Sequence, residues 1–470
     1  MPFKGFILKF LMWRAFKPFE TPLERALEIQ VRMLSRKFRR MEGTLIGKKL
    51  GIRSGVKLED LPVTEYDFYE PFFKSPAGDA FMYNIEDYER VRTSGTGGTE
   101  KWFMIPKFSL SRCWETGLAS LFAMFHDGER VNFRFGDTVY VNVAPRPFLG
   151  GSILLRADRG TYGIVRLVPN INLSFKDKVW FFIANHAKIN GAVMLASTLV
   201  SQIMHEVDGR LSLKGLLTLD SQIADVYFNE IADFAGVPPK TAYGTTEALN
   251  CTIPSVEHRL GFIFDWRRGI FEFIPVGDDV VKAERETLIP ITDVEVGKTY
   301  QLVYTSIEGE ITRYRIPDAL TCVAKGDSAI GTDYPIFKFH SRLEKTISLQ
   351  NFTRISEGEI LSALTESKIP FVDFTARVQI EGGLEYLALF VECWREMSAD
   401  EVEKLIHSYL YKSDRDYRDL VDFFGYVPLK VYILPRGSFM KYMEMKKASW
   451  GKVERINMRE EDFRRLLSFK

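Results

Sequence analysis

Residues 195–234 read LASTLVSQIMHEVDGRLSLKGLLTLDSQIADVYFNEIADF, and this stretch decides the predicted fold class. Its two ends, 195–206 and 221–234, have helical periodicity, and the strand-like run LKGLLTLD lies between them. Further short strands are predicted upstream, around a turn at Phe148–Gly151: DTVYVNVAP (137–145), SILLRAD (152–158) and YGIVRLVP (162–169). Short apolar strands that alternate with helices are typical of an α/β domain with substantial parallel sheet.

The pattern changes on both sides of this α/β region. Residues 21–48 and 109–125 are predicted to be helices, and residues 261–305 predict an antiparallel or barrel-like subdomain. A boundary is predicted at 341–345, so that residues 1–340 form a large N-terminal domain. Residues 346–470 are predicted to form a small α+β domain from these elements: a helix near 357–366, strands at 372–380 and 384–393, a helix that Ser398 and Glu401 cap, a strand at 428–434 and a basic tail.

Composition excludes several classes of protein. The 470 residues are 46% hydrophobic and 27% charged, which are ordinary globular proportions. Lys and Arg total 63 against 62 Asp and Glu, so the net charge of +1 disfavours nucleic acid as a partner. The four cysteines have no metal-ligand spacing, and the six histidines suggest neither a triad nor a metal site. We expect a cytoplasmic protein.

The first twenty residues, MPFKGFILKFLMWRAFKPFE, are apolar and basic without reaching the length that spans a bilayer. Lys9 interrupts the apolar run, and no small-residue cleavage site follows, which argues against a signal peptide. The favoured interpretation is a first helix packed on its own domain. Peripheral attachment to a membrane surface is the alternative.

The most unusual peptide is RTSGTGGTEK, residues 92–101. Glycines let backbone amides approach a phosphate, hydroxyls donate further hydrogen bonds, and Lys101 supplies positive charge. The peptide does not match GxxxxGK[ST], which disfavours a P-loop nucleotide triphosphatase. Alone, it could equally be a surface turn.

Two more motifs follow in order: YGTTE at 243–247 and YRIPD at 314–318. They supply an aromatic face and two carboxylates, which together with the glycine-rich peptide would suit a bound nucleotide. Either motif on its own is as easily structural, and Tyr314 in particular is expected to pack in the core.

Together with a late GKVER at 451–455, these motifs resemble the adenylate-forming superfamily of acyl-CoA ligases and peptide-synthetase adenylation domains. Within it the chain looks most like the auxin-responsive acyl acid–amido synthetases. That likeness rests on LEDLPVTEYDFYEPFF (58–73), GKTYQLVYTSIEGEITRYRIPD (297–318), FKFHSR (337–342) and RGSFMKYM (436–443). Phenylacetate–CoA ligase-like enzymes are the nearest competitor.

The resemblance implies a role for each matching residue. A mobile loop around the β- and γ-phosphates of ATP would comprise Ser94, Gly95, Thr96, Gly97, Gly98 and Thr99, with Lys101 assisting. In Tyr243-Gly244-Thr245-Thr246-Glu247, Tyr243 would stack on adenine, Thr246 would contact the α-phosphate and Glu247 would hold Mg²⁺. Asp318 would bind the ribose hydroxyls, and Arg342 would lie near the ribose and phosphate. Leu343 and Glu344 would form the hinge between the domains. Lys452 would bridge the attacking carboxylate and the α-phosphate.

Three features weaken the match. Lys452 lies in a basic cluster that a solvated tail would also explain. Residues 218–222, TLDSQ, stand where relatives carry a glycine-rich or acidic element beside adenine, so the adenine-side contacts stay open. Pro317 also replaces a glycine that is frequent in this motif.

The resemblance implies an ATP-dependent ligase of mixed α/β fold with a small mobile C-terminal domain. A small carboxylic acid would be activated as acyl-AMP with release of pyrophosphate, and an amino-acid amine or the thiol of CoA would then take the acyl group. The amine is favoured because of the N-terminal matches and those before Lys452. A nucleotide-binding protein without turnover is the alternative of another class.

Overall fold

The computed structural model describes residues 2–93, 101–160, 163–276, 288–343, 346–350, 352–393, 395–445 and 453–468. These residues form two compact units, one up to Leu343 and one from Thr346 onward.

Helices of the first unit precede, connect and flank its strands. They are α1 (Pro2–Phe16), α2 (Leu23–Met41), α3 (Leu45–Leu50), α4 (Tyr66–Lys74), α5 (Lys107–Met124), α6 (Leu149–Gly160), α7 (Phe175–Asn185), α8 (Ala196–Thr198), α9 (Ser221–Val226) and α10 (Phe228–Ala235). A π-helical turn, Leu199–Ile203, continues α8.

Strands of the same unit build a hairpin and two sheets. They are β1 (Tyr88–Arg92), β2 (Trp102–Pro106), β3 (Asp137–Val141), β4 (Val165–Val168), β5 (Gly191–Met194), β6 (Gly215–Thr218), β7 (Pro239–Thr241), β8 (Thr252–Pro254), β9 (Phe262–Phe264), β10 (Gly269–Pro275), β11 (Ile289–Pro290), β12 (Thr299–Ser306), β13 (Tyr314–Asp327) and β14 (Thr332–Arg342).

A five-stranded parallel sheet confirms the α/β prediction. Its strand order is β4-β3-β5-β6-β7, and every neighbouring pair is parallel. Its strands are short, and apart from the edge strand β4 they are almost wholly buried, as expected when helices cover both faces.

A seven-stranded antiparallel sheet confirms the change of pattern beyond Gly261. Its order is β11-β10-β12-β13-β14-β9-β8. Between this sheet and α4 lies an aromatic core in which Tyr69 stacks on Phe73 and both Tyr69 and Phe103 contact the ring of Tyr314. Tyr314 is 2% exposed, so it packs in the core as expected.

The second unit is the α+β fold that the C-terminal pattern predicts. Its elements are β15 (Thr346–Leu349), β16 (Thr353–Ser356), α11 (Glu357–Glu366), β17 (Phe371–Glu381), β18 (Leu384–Cys393), α12 (Ala399–Ser413), α13 (Arg415–Phe424), β19 (Leu429–Leu434), α14 (Ser438–Met445) and α15 (Glu460–Leu467). Antiparallel β17 and β18 continue into a parallel pair with β19. Ser398 caps α12 by accepting a hydrogen bond from the Glu401 amide at 3.2 Å.

Two local predictions are wrong. SILLRAD and the preceding turn are not a turn and strand, because Leu149–Gly160 forms α6. The single helix predicted over 21–48 is broken into α2 and α3, since Thr44 caps a new helix by accepting from the Gly47 amide at 2.9 Å. No secondary structure was predicted for the basic tail, which includes α14 and α15.

Helix α1 packs against its own unit, as the favoured interpretation of the N-terminus predicts. Its residues Leu8, Leu11 and Met12 lie against a core cluster that includes α5, and the ring of Phe16 lies 6.4 Å from that of Phe122. Among the described residues, no helix combines the length and hydropathy that crossing a bilayer would require.

Candidate functional site

The carboxyl edge of the parallel sheet gathers the polar segments that follow its strands. Asn142 follows β3, Ala196–Thr198 follow β5, Asp220 follows β6, and the YGTTE motif follows β7. Ligands of open α/β sheets bind outside this edge, because the loops there lie beyond the last backbone pair and are free to carry functional groups.

The glycine-rich peptide belongs to the connection of a hairpin that reaches this same edge. Strands β1 and β2 pair up to Arg92 and Trp102, and the Thr93 amide donates to the Lys101 carbonyl at 3.0 Å. The Arg92 amide donates to the carbonyl of Pro147, in the segment after β3, at 3.0 Å. The stem of the predicted phosphate loop is therefore tied to the carboxyl edge.

The predicted loop residues themselves lie outside the described residues: Ser94, Gly95, Thr96, Gly97, Gly98 and Thr99. Lys101 is described, and its ammonium lies 5.3 Å from the centre of the Tyr66 ring. The Tyr66 hydroxyl accepts from the Trp102 amide at 2.9 Å. An aromatic ring that is itself hydrogen-bonded to β2 thus lies against the lysine at the base of the loop.

One hydrogen bond joins the second and third motifs. The Tyr243 hydroxyl donates to Oδ2 of Asp318 at 2.8 Å, and Asp318 is only 1% exposed. Tyr243 comes from the end of the parallel sheet and Asp318 from strand β13 of the antiparallel sheet. Two residues 75 positions apart in the chain are therefore brought into direct contact.

The ring of Tyr243 already has a stacking partner on one face. Phe262 lies parallel to it, with 5.2 Å between the ring centres and 16° between the planes. Stacking of adenine on Tyr243 stays a prediction, and it would have to use the other face of the ring.

Local hydrogen bonds hold the YGTTE turn. The Tyr243 amide donates to Oγ1 of Thr252 at 2.7 Å, and the Ala248 amide donates to Oγ1 of Thr245 at 3.1 Å. A Cβ at Gly244 would lie 3.2 Å from the Leu249 carbonyl oxygen, so glycine permits this close approach. Leu249 itself has a φ of 61°, an uncommon conformation for a leucine.

Thr246 and Glu247 of that turn are half-buried. In the part of the chain that the structure describes, Glu247 forms no ion pair, and no group of three or more His, Cys, Asp or Glu side chains could hold a metal. A lone carboxylate still fits Mg²⁺ that arrives with a nucleotide, because this ion is usually held by one or two carboxylates together with substrate phosphates.

Sequence reasoning left Asp220 without a role, and the structure gives it one. The carboxylate accepts hydrogen bonds from the backbone amides of Ala196 and Ser197, the second at 2.9 Å, and so holds the start of α8 beside β6. Burial raises the pKa of Asp220 to about 6, which means that the surroundings oppose its ionised form. The adenine-side contacts predicted near this position stay open.

Sequence reasoning also missed Lys178 of α7, a buried lysine at the carboxyl edge. Its ammonium donates to the carbonyl of Val143, just beyond β3, at 2.8 Å. Burial lowers the pKa of Lys178 to about 8. In the sequence, Lys178 is a lysine directly before the apolar run VWFFIA. Surface lysines occur in the same pattern, so the sequence alone could not identify it.

The predicted hinge follows directly on β14. Asp318 is paired in register with Arg342, and the Leu343 amide donates to the Pro317 carbonyl at 2.8 Å. The side chain of Arg342 and the residue Glu344 lie outside the described residues.

In the second unit, Lys452 lies outside the described residues, but the chain that follows it is well anchored. The Ala376 amide of β17 donates to the Arg455 carbonyl at 2.7 Å, and the Asn457 amide donates to the Ala376 carbonyl at 2.8 Å. Arg455 forms ion pairs with Asp373 at 2.8 Å and with Glu357 at 3.3 Å.

Part of the chain is similar in sequence to known proteins. Residues 262–342, which contain YRIPD and end at Arg342, match the family described as the GH3 family central domain. An indole-3-acetic acid-amido synthetase, GH3.3 of Arabidopsis thaliana, is 35% identical over 99 residues, which are 21% of this chain and 15% of that protein. A jasmonoyl–L-amino acid synthetase, GH3.5 of Oryza sativa subsp. japonica, is 24% identical over 250 residues, 46% of this chain and 40% of that protein. The matches therefore span less than half the length of either relative.

Solved structures extend the likeness to nearly the whole chain. The AtGH3.15 acyl acid amido synthetase in complex with 2,4-DB has a TM-score of 0.55 at 14% identity, over 97% of this chain and 95% of that one. A 2-hydroxyisobutyryl-CoA ligase in complex with 2-HIB-AMP and CoA has a TM-score of 0.65 at 16% identity, over 96% and 93%. The chain therefore has the fold of the adenylate-forming ligases, and its predicted resemblance to the acyl acid–amido synthetases is confirmed.

Proposed function

We propose that this protein is an ATP-dependent ligase that adenylates a carboxylic acid and then transfers the acyl group to an amino-acid amine. The hydrogen bond between Tyr243 and Asp318 carries this proposal. It joins the two nucleotide motifs at the carboxyl edge of the parallel sheet, and Asp318 lies within the segment that matches the GH3 central domain.

The nucleotide end of the site would be built from groups with separate tasks. Residues 94–99 would surround the β- and γ-phosphates above the β1–β2 stem, with Lys101 at its base, while Thr246 contacts the α-phosphate and Asp318 accepts from the ribose hydroxyls. Gly244 and Thr245 would shape the turn between them. Asp318 and the YGTTE turn are already held by hydrogen bonds, and polar groups that are fixed before the substrate arrives need little reorganisation as charge develops.

Mg²⁺ would be held by Glu247 together with the phosphates. Bound there, it would neutralise part of the phosphate charge. The half-buried position of Glu247, without an ion pair among the described residues, is what suits it to this role.

The attacking group would be the carboxylate of the acid, and no protein nucleophile is required. Two anions must approach each other in this step, so a positioned cation lowers the barrier. Lys452 would supply that charge, and Arg342 would lie near the ribose and phosphate. Movement of the second unit about Leu343–Glu344 between the two half-reactions is part of the proposal.

Two molecules are candidates for the acceptor of the acyl group, an amino acid and CoA. The sequence relatives named above are amido synthetases, which supports an amine. The fold is also that of a CoA ligase, so the thiol of CoA is the second candidate.

A pyrophosphate-release assay with ATP, Mg²⁺ and a panel of carboxylic acids tests the first half-reaction. We expect release that depends on one class of acid. Adding amino acids or CoA afterwards, with mass-spectrometric detection of amide or thioester, identifies the acceptor. Nucleotide binding without release for any acid would instead support a nucleotide-binding protein that has no turnover.

A further inference from the structure

Helix α1 has two apolar faces, although packing on its own unit needs only one. The inner face, with Leu11 and Ala15, lies in the core cluster it shares with α5. The outer face exposes three aromatic side chains: Phe6 at 70%, Phe10 at 48% and Trp13 at 54%. At positions i, i+4 and i+7, these three rings form one stripe along the helix.

Basic side chains flank this aromatic stripe. At 100° per residue, Lys9 falls on one side of it and Arg14 on the other, and both side chains are exposed. Among the described residues neither forms an ion pair, whereas Lys17, at the end of the helix, pairs with Glu20 at 2.9 Å. The first nineteen residues contain no Asp or Glu, although the whole chain has a net charge of only +1.

The stripe is held in place by contacts that a ligand would not disturb. The indole nitrogen of Trp266 donates to the Pro18 carbonyl at 2.8 Å, and Phe19 is fully buried. Because the inner face of α1 is packed and the residues that follow it are held by these contacts, α1 can present the aromatic stripe without leaving its own unit.

We propose that the outer face of α1 binds the surface of an anionic lipid bilayer. Aromatic rings on a helix favour the boundary between headgroups and acyl chains, and flanking cations are attracted to anionic headgroups. The combination of a narrow aromatic stripe, cations on both sides and no acid among the first nineteen residues favours such a surface over a neutral apolar partner. This inference is independent of the proposed ligase activity.

Co-sedimentation of the full chain with vesicles tests it. We expect binding to phosphatidylcholine–phosphatidylglycerol vesicles at low salt, weaker binding at high salt, and little binding to pure phosphatidylcholine. The double variants Phe10→Ser/Trp13→Ser and Lys9→Glu/Arg14→Glu should each weaken binding by about tenfold or more. Because these positions are exposed, the melting temperature should stay unchanged.

Helix α7 offers a matched control, since it also exposes a lysine and a tryptophan, Lys176 and Trp180. Lys176→Glu/Trp180→Ser should bind vesicles as the unaltered protein does. The proposal is overturned if the unaltered protein does not sediment at low salt, or if the control variant loses as much binding as the α1 variants. It is equally overturned if sedimentation velocity shows a dimer that Phe10→Ser/Trp13→Ser dissociates while vesicle binding is absent, because the stripe would then join two copies of the chain.

Discussion

The two edges of the parallel sheet differ in how their charged groups are satisfied. At the amino edge, Lys214 donates to both carboxylate oxygens of Asp137 at 2.8 and 3.0 Å. Lys240 donates to the carbonyls of Ala123 and His126 at 2.6 and 2.5 Å. Lys214 and Asp137 thus form an ion pair, and Lys240 is satisfied by backbone carbonyls of the same unit.

At the carboxyl edge the arrangement is different. Asp220 accepts from two backbone amides without a cation, Asp318 accepts from the neutral hydroxyl of Tyr243, and Glu247 has no ion pair among the described residues. Asp220 is held by backbone amides, and its raised pKa shows that burial opposes its negative charge. We infer that the amino edge stabilises the fold, whereas the carboxyl edge is arranged for a charged ligand.

The largest effect is expected from a residue outside both edges. If the carboxyl edge needs an added cation for the adenylation step, Lys452→Ala should slow pyrophosphate formation by about 10²–10³-fold, because one preorganised electrostatic contact is lost. The melting temperature should hardly change. Transfer from a supplied acyl-adenylate should be affected much less, because the bond to the α-phosphate has then already formed.

Lys446→Ala and Lys447→Ala are the matched controls for Lys452. Both belong to the same basic cluster, and neither should alter either half-reaction appreciably. Equal, small effects from all three substitutions would mean that the cluster is a solvated tail and that the carboxyl edge acts without Lys452.

The second largest effect is expected in the pH dependence of the free energy of unfolding. The folded protein keeps a proton on Asp220 up to about pH 6, whereas an unfolded aspartate loses it near pH 4. The free energy of unfolding should therefore fall by about 2–3 kcal/mol as the pH rises from about 4 to 6, and level off above. Urea denaturation across this range measures it.

Asp220→Asn is the control for that pH effect, because an amide does not ionise. The variant should lack the decrease between about pH 4 and 6. A decrease of the same size in both proteins would assign it to another group and remove the argument that burial at the carboxyl edge opposes ionisation.

Asp318→Ala should weaken equilibrium ATP binding by about tenfold to a hundredfold, since hydrogen bonds to a charged acceptor contribute about 1.5–3 kcal/mol. Titration of the full chain with nucleotide measures this. Tyr243→Phe removes the bond to Asp318 but leaves the carboxylate, so it should weaken binding less. An unchanged dissociation constant in Asp318→Ala would exclude this residue from the site.

The smallest effect is expected at the amino edge. Lys214→Met should lower the free energy of unfolding by about 1–2 kcal/mol, because it leaves the buried Asp137 without its charged partner. Pyrophosphate release per folded molecule should stay the same. A loss of activity larger than the loss of folded protein would show that the two edges are not separated in function as we infer.

Local pattern predicted much of the fold, and it failed where a short apolar run had two possible periods. The run ILL at 153–155 suits a strand or a helix, and periodicity alone cannot separate the two. Helix α6 forms there, and its Gly150 and Gly151 pack closely against the segment that follows β3. A Cβ at Gly151 would lie only 2.4 Å from the carbonyl carbon of Pro145.

In the candidate site, too, some residues could be predicted from the sequence and others could not. The motifs RTSGTGGTEK, YGTTE and YRIPD stand out in the sequence because their residue types are unusual together. Asp220 and Lys178 do not stand out, since a lone aspartate or lysine near an apolar run is common. Their burial, which shifts the pKa of each, arises only when distant strands and helices pack around them.

The sequence by itself therefore determined the α/β class, the change to antiparallel sheet beyond Gly261 and the motifs that point to a nucleotide, because periodicity and residue type are local properties. Only the tertiary structure decided that Tyr243 meets Asp318 across 75 residues, and that one face of α1 is left exposed. Both outcomes depend on which surfaces the packed sheets and helices cover. That information is not local, since it is set by contacts between segments far apart in the chain.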